Sequence, residues 1–143
     1  MRWILIASLA VSVTTSAAAQ RSHVGPHFAY NFDFDEAAIG AQMHLPIATA
    51  VELYPSFDYY LTDGFTLWGF NGDLKFRGLG TPLYFGGGVN FLKSGSSSDT
   101  GFNLFGGFER RWGMTHPYIE VRGMFHDNNS SVQLALGLNV TLF

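Results

Sequence analysis

Residues 117–143 read PYIEVRGMFHDNNSSVQLALGLNVTLF. Taken in steps of two, Ile119, Val121 and Phe125 fall on one face, and Tyr118, Glu120 and Arg122 on the other. After the polar break at 126–130 the alternation resumes. Val132, Leu134, Leu136, Leu138, Val140 and Leu142 share a face opposite Gln133, Ala135, Gly137, Asn139 and Thr141. A period of two is the signature of a half-buried strand, because successive side chains point to opposite sides of a pleated backbone. Two such runs around a short polar loop predict a hairpin.

The same period recurs upstream. Segments near 22–32, 37–44, 50–60, 65–77, 83–92 and 101–109 alternate in the same way, separated by turn signals such as Thr62-Asp63-Gly64 and Gly78 to Pro82. No segment after residue 22 carries a helical period. With the closing hairpin these make eight strands, and the order of short connections is that of an up-and-down meander. Pro46 predicts a turn, Pro55 predicts a bulge or a late start in its strand, and the Gly/Ser-rich run 94–100 predicts the longest and most mobile loop.

Residues 1–19 read as a secretory signal peptide: Arg2, a short apolar stretch from Trp3 to Val13, then Ala17 and Ala19 before Gln20. The apolar stretch is too short for a spanning helix, which needs about 20 residues. Residues 20–143 are then one domain. There is no cysteine, which excludes a disulfide frame, thiolate metal sites and a cysteine nucleophile. Acidic residues outnumber basic ones, eleven to eight, which speaks against nucleic acid as a partner. Charged residues make up 13 % of the chain, against about 25 % in an ordinary soluble domain.

Alternation does not say which face looks out. A soluble barrel of the lipocalin kind has an apolar lumen, and a membrane barrel reverses that. Two features favour the membrane. The polar face is rich in small residues, among them Gly40, Gly86, Gly88, Gly107 and Gly137, which are poor strand residues on an open surface but leave room for larger neighbours inside a narrow barrel. The apolar face carries aromatics at strand ends, such as Phe32, Tyr59, Phe65, Phe91, Phe102 and Phe125, in the manner of interfacial girdles. Pairing about the loops sets Gly88 near Phe105, Tyr84 near Glu109, and Glu52 beside Asp73 and diagonal to Lys75.

On these residues, together with GGGVNF at 86–91 and PYIEVRG at 117–123, the chain resembles the OmpA/OmpX-like superfamily of small eight-stranded outer-membrane β-barrels. The resemblance implies an all-β transmembrane barrel in the outer membrane of a Gram-negative bacterium, with the loops at 33–36, 61–64, 94–100 and 126–130 outside. It implies outer-membrane lipid and lipopolysaccharide as surroundings, and recognition of the C-terminal Phe143 by the barrel-assembly machinery. One departure is that Leu142, rather than Phe143, continues the lipid-facing set.

The lumen-facing charges Glu52, Asp58, Asp73, Lys75, Arg77, Glu109, Glu120 and Arg122 are expected to pair and plug the barrel, since an isolated buried charge costs several kcal/mol. No catalytic, cofactor or metal site is read. Gly86-Gly87-Gly88 lacks the Lys-Ser/Thr and helix of a phosphate cradle. Asp33, Asp35 and Glu36 read as a solvated acidic loop, and His23, His27 and His44 as hydrogen-bonded lumen residues without a ligand set. A soluble periplasmic barrel with an apolar ligand is the first alternative, and would put Trp68, Phe70, Phe85 and Phe108 inside. The second is a lipid A deacylase-like enzyme built on His126, Ser130 and Ser131, in which Asn128 stands where those enzymes carry the serine.

Overall fold

A computed structural model describes residues 21–78, 80–127 and 129–142. The leader expected over 1–19, Asn128 and Phe143 lie outside them. Eight strands follow in order: β1 (His23–Asn31), β2 (Glu36–Ala48), β3 (Val51–Tyr60), β4 (Leu67–Arg77), β5 (Leu83–Ser94), β6 (Ser97–Glu109), β7 (Thr115–Phe125) and β8 (Ser130–Thr141). Each pairs antiparallel with the next, and β8 returns to β1, so the sheet closes into a barrel with no free edge. The seam runs from His23 opposite Thr141 to Asn31 opposite Gln133.

The alternation read in the sequence is the alternation of burial. On the outer surface Phe28, Phe57, Phe70, Phe85, Phe102, Leu104 and Ile119 are exposed, Phe85 by 65 %. On the inner face Asp73 and Lys75 are 1 % exposed and Arg122 3 %. This distribution is inverted relative to a soluble protein, in which large apolar groups are buried and Lys, Asp and Arg almost never are. It also overturns the lipocalin-like alternative, since Phe70, Phe85 and Phe108 all point outward.

The boundaries differ from expectation where local chemistry was outweighed by pairing. Pro46 lies within β2, opposite Glu52, and the chain turns only at Thr49-Ala50. β3 runs unbroken through Pro55; the register shift falls instead between Pro46 and Ala48 on the partner strand. Pro55 sits opposite Gly72 on β4, while the β2 ladder passes from Ser56 to Leu53 without pairing it. Proline's missing donor is thus directed where no ladder bond is drawn. The run 94–100 is not a long loop. β5 and β6 pair as far as Ser94 opposite Ser97, leaving only Gly95 and Ser96 to turn. Gly95 has φ +56°, a conformation that glycine adopts without a Cβ penalty.

Glycine makes room in the lumen by a simple rule, although the registers are two residues away from those expected. Phe105 lies opposite Gly86, not Gly88, and Tyr84 opposite Gly107, not Glu109. A Cβ at Gly86 would come within 2.5 Å of the Phe105 ring, and one at Gly107 within 2.5 Å of the Tyr84 ring. Tyr118 and His27 lie in the same way over Gly137 and Gly40. Four further glycines, Gly72, Gly87, Gly106 and Gly123, fall on the outward face of β4 to β7, a stripe the sequence reading did not single out. Leu104 leans over Gly87 and Phe125 over Gly123.

Candidate functional site

The interior of the barrel is the only place where ionisable groups gather out of solvent among the described residues. Strand alternation puts them there. Every second residue of β3, β4, β6 and β7 must point inward, and at those positions the chain carries Glu52, Asp58, Asp73, Lys75, Glu109, Glu120 and Arg122, all buried. Arg77, at the end of β4, is half-buried.

The charges group around three cations. At mid-height Arg122 donates through Nη1 to Asp73 Oδ2 at 2.5 Å, and through Nη2 to Glu120 Oε2 at 3.2 Å. Its guanidinium lies 4.5 Å from the centroid of the Phe105 ring, within cation–π range. Tyr84 donates its hydroxyl to the other Glu120 oxygen at 3.2 Å. Nearer the β4–β5 turn, Arg77 reaches Glu109 Oε1 at 2.7 Å and also binds Glu52. Lys75 lies between, with Nζ 3.5 Å from Glu109 Oε1 and 3.9 Å from the centroid of the Tyr84 ring. Glu52 stands directly opposite Lys75 rather than Asp73, because the β3–β4 turn is longer than a pairing about Asp63 assumes.

Neutral amides join these groups into one network. Asn71 donates to Ser56 at 3.0 Å and to Asp58 at 3.3 Å, and accepts from Asn90 at 2.6 Å and Asn103 at 3.0 Å. His27 bonds Asp58 at 2.5 Å and Gln42 at 2.6 Å. Gln42 donates to Asn139 at 2.7 Å, and Asn139 to Glu109 at 2.6 Å. His126 Nε2 lies 2.7 Å from Asn90 Oδ1. Hydrogen bonds therefore run from the β7–β8 turn to the opposite mouth. The sequence reading missed these amides. Their signal was present, since Asn71, Asn90, Asn103 and Asn139 all fall on inward positions, but an uncharged amide draws less notice than a carboxylate.

The histidines divide. His27 is hydrogen-bonded as expected, and His44 stacks on Tyr54 with centroids 4.3 Å apart. His23 has no hydrogen-bond partner for its Nδ1, and neither does His116 for its own, among the described residues. Their rings lie 4.5 Å apart. Both line a cavity of about 770 Å³ that opens at the mouth framed by the β2–β3, β4–β5 and β6–β7 turns. No group of three or more potential metal ligands occurs among the described residues.

The His126 set does not assemble as a hydrolase. His126 bonds Asn90, while Ser131 accepts from Asn31 at 3.1 Å. A serine nucleophile needs its base within hydrogen-bond reach and a third group to orient that base, and these bonds lead elsewhere.

Comparison with known proteins gives the architecture a context. No protein-family model matches the chain, and no curated protein matches it. Solved structures do. The N-terminal β-barrel domain of Pseudomonas aeruginosa OprF superposes with a TM-score of 0.73 at 15 % identity, covering 85 % of this chain and 97 % of that one. Neisserial surface protein A gives 0.63 at 11 % identity, covering 85 % and 95 %. The Yersinia pestis outer membrane protein Ail, determined in a phospholipid bilayer nanodisc, gives 0.60 at 14 % identity, covering 85 % and 99 %. At these identities the likeness establishes the fold, which is that of the small eight-stranded outer-membrane barrels.

Proposed function

We propose that this chain is an integral outer-membrane barrel with a structural or surface-interaction role, and that its lumen is a plug rather than a pore. The single observation behind this reading is the inversion of the molecule, with apolar side chains outside and a paired charge network inside. An eight-stranded barrel is just wide enough for side chains to fill. Here Tyr54, Tyr84, Phe105 and Tyr118 occupy the space beside the ion pairs, all of them buried. Water and ions would have to displace the pairs Arg122–Asp73, Arg122–Glu120 and Arg77–Glu109.

The role is not enzymatic on this reading, since the interior charges are paired with each other and His126 is bonded to Asn90 rather than to a serine. The partners on this reading are outer-membrane lipid and lipopolysaccharide along the apolar belt. Single-molecule recording in a planar bilayer tests the plug: no sustained conductance is expected. Large, steady, ion-selective openings from the monomer would overturn it. Solubility as a monomer without detergent would overturn the membrane placement.

A further inference from the structure

The exposed charges of this barrel are segregated by end. Asp33, Asp35, Asp63, Asp99 and Asp127 are exposed around one rim, where Lys93 is the one exposed cation among the described residues. The opposite rim carries exposed Arg21, Arg110 and Arg111 and, among the described residues, no exposed carboxylate. These three arginines line the 770 Å³ mouth cavity together with half-buried Arg77. The two carboxylates on its wall, Glu52 and Glu109, are already bridged by Arg77, and Glu109 also faces Lys75. The mouth is left with a surplus of positive charge.

A second, independent feature points to a ligand. His23 and His116 also line this cavity, are 8 % and 4 % exposed, and each holds a buried ring nitrogen with no hydrogen-bond partner among the described residues. Buried polar atoms in folded proteins are normally satisfied. Glu52 Oε2 and Glu109 Oε1 on the same wall also lack a hydrogen-bond partner among the described residues, but their charge is met by Arg77, whereas the two histidine nitrogens have no such counterpart there. Guanidinium forks grip carboxylate and phosphate oxygens in pairs of parallel hydrogen bonds. The β6–β7 turn holds its arginines in a fixed frame: Trp112 and Thr115 exchange backbone hydrogen bonds at 2.9 and 3.1 Å, and Arg110 stacks over the Trp112 ring at 5.2 Å.

We infer that this mouth is a binding site for a small polyanion, a phosphate ester or polycarboxylate, gripped at the rim by Arg110 and Arg111 and met inside by His23 and His116. The site goes beyond the plugged-barrel reading and does not depend on whether the lumen conducts. The test is a titration of the folded protein in zwitterionic micelles with pyrophosphate, followed by the ring resonances of His23 and His116, with sucrose as the uncharged control. Saturable shifts with pyrophosphate alone are expected, weakened about tenfold or more in Arg110→Ala/Arg111→Ala. Both substitutions lie on an exposed turn and leave the interior intact. No saturable shift, or binding undiminished in the double variant, overturns the proposal. Repeating the titration in bilayers containing phosphatidylglycerol separates two sources of the anion. A response abolished by that lipid assigns the site to a lipid headgroup, and a response that survives assigns it to a soluble polyanion.

Discussion

Arg122 is the residue on which the centre of the lumen turns. It meets Asp73 on β4 and Glu120 on its own strand, and all three are buried. Removing the guanidinium leaves two buried carboxylates without their shared partner. Breaking a buried pair from one side typically costs about 3–5 kcal/mol. Arg122→Ala should therefore lower the midpoint of denaturant unfolding in micelles by a corresponding amount, and Arg122→Lys should recover only part of it, because one ammonium does not span both carboxylates. Wild-type stability in the alanine variant would show that the pairs are unimportant. Gly86→Ala tests packing without charge. Its methyl would collide with the Leu74 carbonyl oxygen and come within 2.5 Å of the Phe105 ring, so the ladder as well as the ring must shift, and the cost should be at least about 1–3 kcal/mol, the range typical of overpacking. Sequence alone revealed that Arg122 and Glu120 share a face. It did not reveal Asp73 as the third member, because that contact crosses from β7 to β4 and depends on closure.

At the scale of elements, alternation was legible for every strand and turn chemistry was less so. Proline and glycine are local signals. Pro46 and the 94–100 run predict a turn and a long loop because their residues prefer such conformations in isolation. Pairing overrode that preference, since closing the barrel gives each strand two hydrogen-bonded neighbours and every rung kept satisfies buried backbone groups. The two-residue slip in the expected registers has the same origin: turn length fixes register, and turn length is the least legible quantity in a chain of alternating residues. One turn carries an unrelieved cost. Ala50 has φ +63° in the β2–β3 turn while its carbonyl accepts from Arg77 at 2.8 Å. A residue with a Cβ pays about 1–2 kcal/mol there. Ala50→Gly should stabilise the barrel by up to about 1 kcal/mol in chemical denaturation, and a loss of stability would show that this conformation is not strained.

For the molecule as a whole, the outward face makes its own prediction. Trp68 lies on the exterior, 5.8 Å from both Phe57 and Phe91. Its fluorescence should be quenched by brominated acyl chains, and insensitivity to them would place it out of reach of lipid. Closure has a further consequence, for the way the barrel comes into being. The network joins strands that are far apart in the chain: Arg122 of β7 needs Asp73 of β4, and Asn139 of β8 needs both Gln42 of β2 and Glu109 of β6. A half-barrel would hold unanswered charge on one face and open ladder edges at both sides. Folding should therefore be a single slow event that ends when β1 meets β8, as topologies rich in distant contacts dictate. A chain cut between β4 and β5 should yield two pieces with no structure in micelles on their own, and a barrel only when they are mixed.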